Sequence, residues 1–139
     1  MADLHDKLQL TVVTRDRRVL QESADEVVLP GAEGALGVLP GHTPLLAMLK
    51  IGVLMYRVGG REHRVALSWG FAEVLPDRVT VLAEGAYLAD EIDAAAAERQ
   101  RVEAEKELAM LASHDEEFAA AEARLEESIA QISIASRTH

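Results

Sequence analysis

Leu29-Pro30-Gly31-Ala32-Glu33-Gly34-Ala35-Leu36-Gly37-Val38-Leu39-Pro40-Gly41-His42-Thr43-Pro44-Leu45-Leu46 is the densest non-repetitive stretch of the chain, and its four glycines and three prolines fix an unusual backbone. No Gly-Lys-Ser or Gly-Lys-Thr follows it and no helix begins at its end, so it does not read as a phosphate-cradling loop. It reads as tight connections between short strands.

On both sides of this stretch, from Leu8 to about Ala83, β-branched residues recur in short runs divided by glycine, proline and aspartate. The runs predict strands at 8–13, 18–21, 26–29, 35–38, 44–49, 52–58, 63–68, 70–75 and 79–83. Leu8, Leu10 and Val12 alternate with Gln9 and Thr11, as in a strand with one buried and one wet face. Gly59-Gly60 and Pro76-Asp77 each separate two such runs at hairpin spacing. Short antiparallel strands of this kind predict a β-sandwich, because two packed sheets bury apolar faces that one open sheet would leave in water.

After Glu84 the composition changes. Residues 90–112 and 116–135 are rich in Ala, Glu, Leu and Arg and lack glycine and proline, which predicts two helices. Ser113 followed by Glu116 has the form of a capping box, Asp90 and Asp93 suit the start of the first helix, and the short Ser113-His114-Asp115 connection predicts an antiparallel hairpin. Phe118, Ala121, Leu125, Ile129 and Ile132 place an apolar stripe on the second helix. A weaker stripe of Ala95, Val102, Leu108, Ala109 and Ala112 lies on the first. Such a pair buries little area, at about 0.8 kcal/mol per methylene, so it gains its stability by packing and is suited to leaving one docking site for another. The expected organisation is therefore α+β, a sandwich over 1–86 followed by a helical hairpin over 87–139.

The formal charge of -10 argues against nucleic acid or anionic lipid as the main ligand and leaves proteins as the expected partners. No apolar run approaches the roughly 20 residues of a membrane-spanning helix, and MADLHDKLQL lacks the basic and apolar regions of a secretory signal. With no cysteine there are no disulfides, thiol nucleophiles or thiolate metal sites. His5, His42, His63, His114 and His139 are scattered without zinc-site spacing, and neither a Ser-His-Asp set nor a Gly-x-Ser-x-Gly elbow occurs. Catalysis has no candidate residues, and no metal is expected. Trp69 reads as a core or near-core aromatic.

The stretch beginning at Leu29, with Gly70-Phe71-Ala72-Glu73-Val74, Asp77-Arg78-Val79-Thr80-Val81-Leu82-Ala83-Glu84 and Glu91-Ile92-Asp93, resembles the epsilon subunits of F-type ATP synthases over essentially the whole chain. That resemblance implies a sandwich of about ten strands that binds the gamma subunit and faces the c-subunit ring. It also implies a C-terminal hairpin that lies on the sandwich or extends along gamma toward the alpha/beta catalytic hexamer, where it restrains ATP hydrolysis. The place implied is the cytoplasmic face of the bacterial inner membrane, with the membrane reached only through the complex. By the same resemblance Glu33, Ala35, Leu36 and His42 lie at the c-ring and gamma interface. Some relatives carry a glutamate where Ala35 stands, which makes Glu33 the nearer ionic candidate. Arg99, Arg101, Lys106 and Arg124 are the implied regulatory contacts of the hairpin.

The resemblance implies that relatives binding ATP between the helices use Ile or Leu, then Asp-x-x-Arg-Ala, with further arginines. Here Asp93 survives as a remnant, Ala96 stands in the arginine's place, and Glu103, Glu127 and Gln131 take other cationic positions. ATP binding is therefore expected to be weak or absent, since forked arginine donors are what recognise phosphates. A stand-alone β-sandwich enzyme with a helical tail, or a binding adaptor, is the competing reading.

Overall fold

Ten strands and two helices account for most of residues 6–135, the part of the chain that the structure, a computed structural model, describes. Strands β1 (Leu8–Val13), β2 (Arg18–Ala24), β3 (Glu26–Gly31), β4 (Gly34–Val38) and β5 (Leu45–Leu49) are followed by β6 (Gly52–Val58), β7 (Arg61–Leu67), β8 (Gly70–Leu75), β9 (Arg78–Ala83) and β10 (Ala86–Leu88). Helices α1 (Ala94–Met110) and α2 (Glu116–Ala135) complete the chain after a single 3-10 turn at Ala89–Glu91.

The strands follow the order β10-β7-β6-β3-β5-β8-β9-β1-β2, with β4 added on β3. Along the whole of β4 the pairing with β3 is continuous, whereas β3 meets β5 only where Gly31 faces Leu49. That single junction divides the sheet into two layers, β10-β7-β6-β3-β4 and β5-β8-β9-β1-β2. The alternating residues Leu8, Leu10 and Val12 are fully buried between them, together with Val27, Leu29, Leu54, Val65, Val74, Val79 and Val81. At about 1.5–3 kcal/mol for each such side chain, this interior is what holds the body together. One pairing departs from the antiparallel expectation: β1 lies parallel to β9, with Leu10 opposite Val79 and Val12 opposite Val81.

The β6-β7 turn is a hairpin of the kind its glycines predict. Gly59 (φ 58°) and Gly60 (φ 82°) both occupy the left-handed region that a two-residue type I′ turn requires. Strand β10, absent from the strand runs read along the chain, pairs with β7 over Val65–Leu67 and takes the sandwich through Leu88.

The helical half begins later than the 90–112 expectation. Asp93 is the N-cap of α1, its carboxylate accepting the Ala96 N–H at 3.1 Å, while Asp90 lies in the preceding 3-10 turn. Asp115, not Ser113, immediately precedes α2. Its carboxylate accepts the Ala112 N–H at 2.9 Å, closing the turn between the helices.

The buried residues of α1 are Ala97 and Ala104, whereas Ala95 and Ala109 face solvent, which corrects the expected stripe. In α2, Ala121 and Ser128 are buried, as are Ala130 and Ile134, while Ile129 is half exposed. The cause is a second neighbour: α2 packs on α1 along one side and on β6 and β7 along another, so no single stripe describes it. Ala66, Ala130 and Ile134 form the seam between α2 and the sandwich, bordered by Val53, Ala89 and Ile92.

Candidate functional site

Three surfaces carry the candidate residues. The first is a groove of about 530 Å³ between the β3-β4 turn and β5, with Glu33, Ala35 and Leu36 on one wall and Leu45, Leu46 and Met48 on the other. Glu33 is exposed in the turn that precedes β4. His42 is not among the residues lining this groove. It follows β4, where its backbone N–H donates to the Leu39 carbonyl at 3.1 Å and its Nδ1 lies 2.7 Å from the Thr43 carbonyl oxygen. The Gly41 N–H binds the Pro76 carbonyl at 2.7 Å, tying this connection to the β8-β9 turn. The structure therefore brings Glu33, Ala35 and Leu36 together and sets His42 apart.

The second surface was not anticipated by the sequence reading. Met48, Phe71 and Leu82 stand opposite one another across β5, β8 and β9, and all three point outward, with exposures of 68%, 45% and 44%. Leu46, 72% exposed, lies two residues from Met48 on the same face. Trp69 is 48% exposed at the border of this row, which corrects its reading as a core aromatic. Arg15 and Glu84 line the adjoining depression of about 510 Å³. Contiguous exposed apolar residues on an otherwise charged protein mark a surface that another protein covers. The signal was present in β8, where Phe71 and Glu73 fall on one face and Ala72 and Val74 on the other, so the buried face was already occupied.

Beside this row β8 and β9 approach closely. Gly70 sits so close to β9 that a Cβ there would lie 2.0 Å from the Leu82 carbonyl oxygen. Only glycine permits that approach.

The third surface is the hairpin. Arg101 is held within α1 by Glu98 and Glu105, one turn away on either side. Arg124 reaches from α2 to both carboxylate oxygens of Glu107, at 2.9 and 2.8 Å, and the Arg124 carbonyl accepts from the Gln100 side chain at 3.0 Å, so this residue binds the helices to each other. Arg99 and Lys106 form no ion pair among the described residues. Of the four basic candidates, then, Arg101 is engaged within its own helix, Arg124 ties the two helices together, and Arg99 and Lys106 are available to a partner. Most of the acidic excess of the chain lies in the linker and the hairpin.

Polar contacts also anchor the linker and the hairpin to the sandwich. Arg17, in the β1-β2 turn, pairs with Glu91 at 2.9 Å, and the same carboxylate accepts the Leu88 N–H at 2.9 Å. The Arg17 hydrogen bond, backed by that N–H, holds the Glu91 carboxyl below the usual carboxylate range. The Ser68 hydroxyl, at the end of β7, donates to the Glu127 carboxylate of α2 at 2.6 Å.

Asp93 is committed to capping α1, Ala96 offers no cation, and Glu103 and Glu127 bring negative charge to the hairpin. No helix among the described residues is long and apolar enough to cross a membrane.

Comparison with known proteins places the whole chain beside named relatives. Residues 7–89 match the family described as "ATP synthase, Delta/Epsilon chain, beta-sandwich domain". The chain is 45% identical over 133 residues to the ATP synthase epsilon chain of Syntrophobacter fumaroxidans, covering 96% of this chain and 98% of that one. It is 46% identical over 132 residues to the ATP synthase epsilon chain of Geobacter sp. strain M21, covering 95% and 96%. Among solved structures, a chain in the Euglena gracilis mitochondrial ATP synthase assembly of OSCP, F1 and c-ring superposes with a TM-score of 0.80 at 26% identity, over 99% of this chain and 84% of that one.

Proposed function

This chain belongs to the ATP synthase delta/epsilon family, matching epsilon chains along nearly its whole length, and from that premise we propose that it is a non-catalytic rotor subunit that couples gamma to the c-ring and restrains ATP hydrolysis through its helical hairpin. The observation that carries the proposal is the outward row of Met48, Phe71 and Leu82 with Leu46 and Trp69. Covering these side chains is worth about 25 cal/mol per Å² of apolar surface, which favours a permanent partner over free solution. The gamma subunit is that partner in this reading.

The Glu33, Ala35 and Leu36 wall of the groove takes the c-ring contact, while Leu46 and Met48 on the opposite wall belong to the row that meets gamma. That first wall combines apolar side chains with a single carboxylate, a chemistry that suits a polar or basic loop. The membrane is reached through that ring, at its cytoplasmic face. Arg99 and Lys106 are the cations that meet the alpha/beta hexamer when the hairpin extends, since Arg101 and Arg124 are already engaged.

No step of ATP chemistry belongs to this chain. ATP is not its ligand either, because Ala96, Glu103 and Glu127 supply no guanidinium for a triphosphate.

Truncation after Leu88, which keeps β10 and so spares the sandwich, tests the regulatory part of the proposal. The assembled enzyme should hydrolyse ATP faster with the truncated chain than with the whole one, at unchanged assembly. Equal rates would remove the inhibitory role and leave the rotor role standing.

A further inference from the structure

We propose that the Ser68 hydroxyl and the Glu127 carboxylate form a latch that sets how often the hairpin leaves the sandwich. The inference rests on the movable-hairpin reading above and names the contact that regulates it.

The apolar seam under α2 is small. Two of its three buried residues, Ala66 and Ala130, are alanines, and Ile134 is the one large side chain. Beside it, a depression of about 270 Å³ between Ile51, Gly52 and Val53 on one side and Glu126, Ile129 and Ser133 on the other is left unfilled. A seam so sparsely packed gives directional polar contacts a large share in deciding whether the helices stay.

Ser68 is built into the sandwich. It is 4% exposed, and its backbone N–H is held by the Gly85 carbonyl at 2.9 Å. A Cβ at Gly85 would stand 3.1 Å from the Ser68 hydroxyl oxygen and 3.3 Å from the Tyr87 ring, so the glycine keeps the space in which that hydroxyl is held. The hydroxyl thus meets Glu127 from a fixed position, at a distance of 2.6 Å that is typical of a charge-assisted bond.

The bond is asymmetric in its consequences. When the hairpin opens, both groups regain water and little is lost. When the hydroxyl is removed and the hairpin stays docked, the partly buried carboxylate lacks its donor, and the docked state alone bears that cost. Loss of the hydroxyl therefore shifts the balance toward the undocked, inhibitory arrangement. The Arg17–Glu91 pair lies before α1 and is not part of this contact.

Native-state hydrogen exchange on the full-length chain tests this, comparing wild type with Ser68→Ala, Glu127→Ala and the double variant. Amides of α1 and α2 should exchange about tenfold faster in Ser68→Ala, the size of one charge-assisted hydrogen bond, while β1 and β9 are unchanged. The double variant should be no faster than Glu127→Ala, because both changes remove the same bond. If the wild-type hairpin opens on its own and Ser68→Ala leaves its rate alone, the latch is refuted and the movable hairpin stands. Faster exchange in β1 and β9 as well would make Ser68 a plain fold-stability residue and also refute it. Should the wild-type helices exchange only together with the whole sandwich, the movable-hairpin reading falls and takes the latch with it.

Discussion

Gly70 and Ala83 face each other across β8 and β9 with so little room that a methyl group on Gly70 would come within 2.8 Å of the Ala83 Cα and 2.0 Å of the carbonyl oxygen of the preceding Leu82. Backbone, not a flexible side chain, is what it would strike. The two strands must separate for any larger residue to enter, and they carry Phe71 and Leu82 of the apolar row with them. Gly70→Ala is therefore expected to cost about 3 kcal/mol, the upper end of overpacking effects, read as a lowered urea midpoint. An unchanged midpoint would show that the sheet yields there without cost.

Lysine in place of Met48 or Phe71 separates stability from binding. Both side chains point away from the core, so folding should change by no more than about 0.5 kcal/mol. Affinity for gamma should fall at least about 100-fold, because a buried ammonium replaces an apolar contact at the centre of the interface. Titration calorimetry measures it, with the urea midpoint as the folding control.

Acid should loosen the linker. The Glu91 carboxyl is depressed in the folded chain, so its contribution is complete above the unfolded value of about 4.3 and is lost as pH falls through the lower folded value. The Lys7 partner of Asp25, the Arg64 and Arg57 partners of Glu62, and the Arg101 partner of Glu98 give those carboxyls the same sign. Comparing urea midpoints of wild type and Glu91→Gln between roughly pH 6 and pH 3 isolates the Arg17 pair. The gap between the two should be widest near neutrality and close toward the acid end, and a gap that stays constant would show that the pair contributes nothing to folding.

ATP titrated into the isolated chain should release no heat of binding at micromolar concentrations. Placing arginine at position 96 should leave binding weak, since Glu103 and Glu127 remain. A micromolar dissociation constant for the unmodified chain would overturn the reading of Ala96.

Much of this architecture could be read along the chain. The limits of β1, β6 and β8 coincide with those expected, because each is bounded by glycine, proline or a charged turn. Strand β10 escaped because Ala86-Tyr87-Leu88 is too short to show a period, and it is a strand only through its pairing with β7. The stripe on α1 was misplaced because alanines surround that helix, so composition does not say which of them is buried. That depends on where Ala121 and Ser128 of α2 lie.

The candidate site was legible in its turn residues and less so in its surface. Glu33, Ala35 and Leu36 share a groove because the β3-β4 hairpin places them there, a local effect that glycine spacing foreshadows. The row of Met48, Phe71 and Leu82 needs the register of three strands, which no single stretch specifies. Trp69 was misassigned for the same reason. The Glu98-Arg101-Glu105 spacing, by contrast, holds a signal that the sequence reading of Arg101 as a regulatory contact leaves unused, an arginine occupied by its own helix.

The central claim is that the outer face of the β5-β8-β9 layer grips gamma, and the affinity of the whole, unmodified chain for purified gamma tests it most directly. A stable one-to-one complex with a submicromolar dissociation constant is the predicted result, worth more than about 8 kcal/mol. No measurable association at concentrations where both proteins are folded would contradict the account.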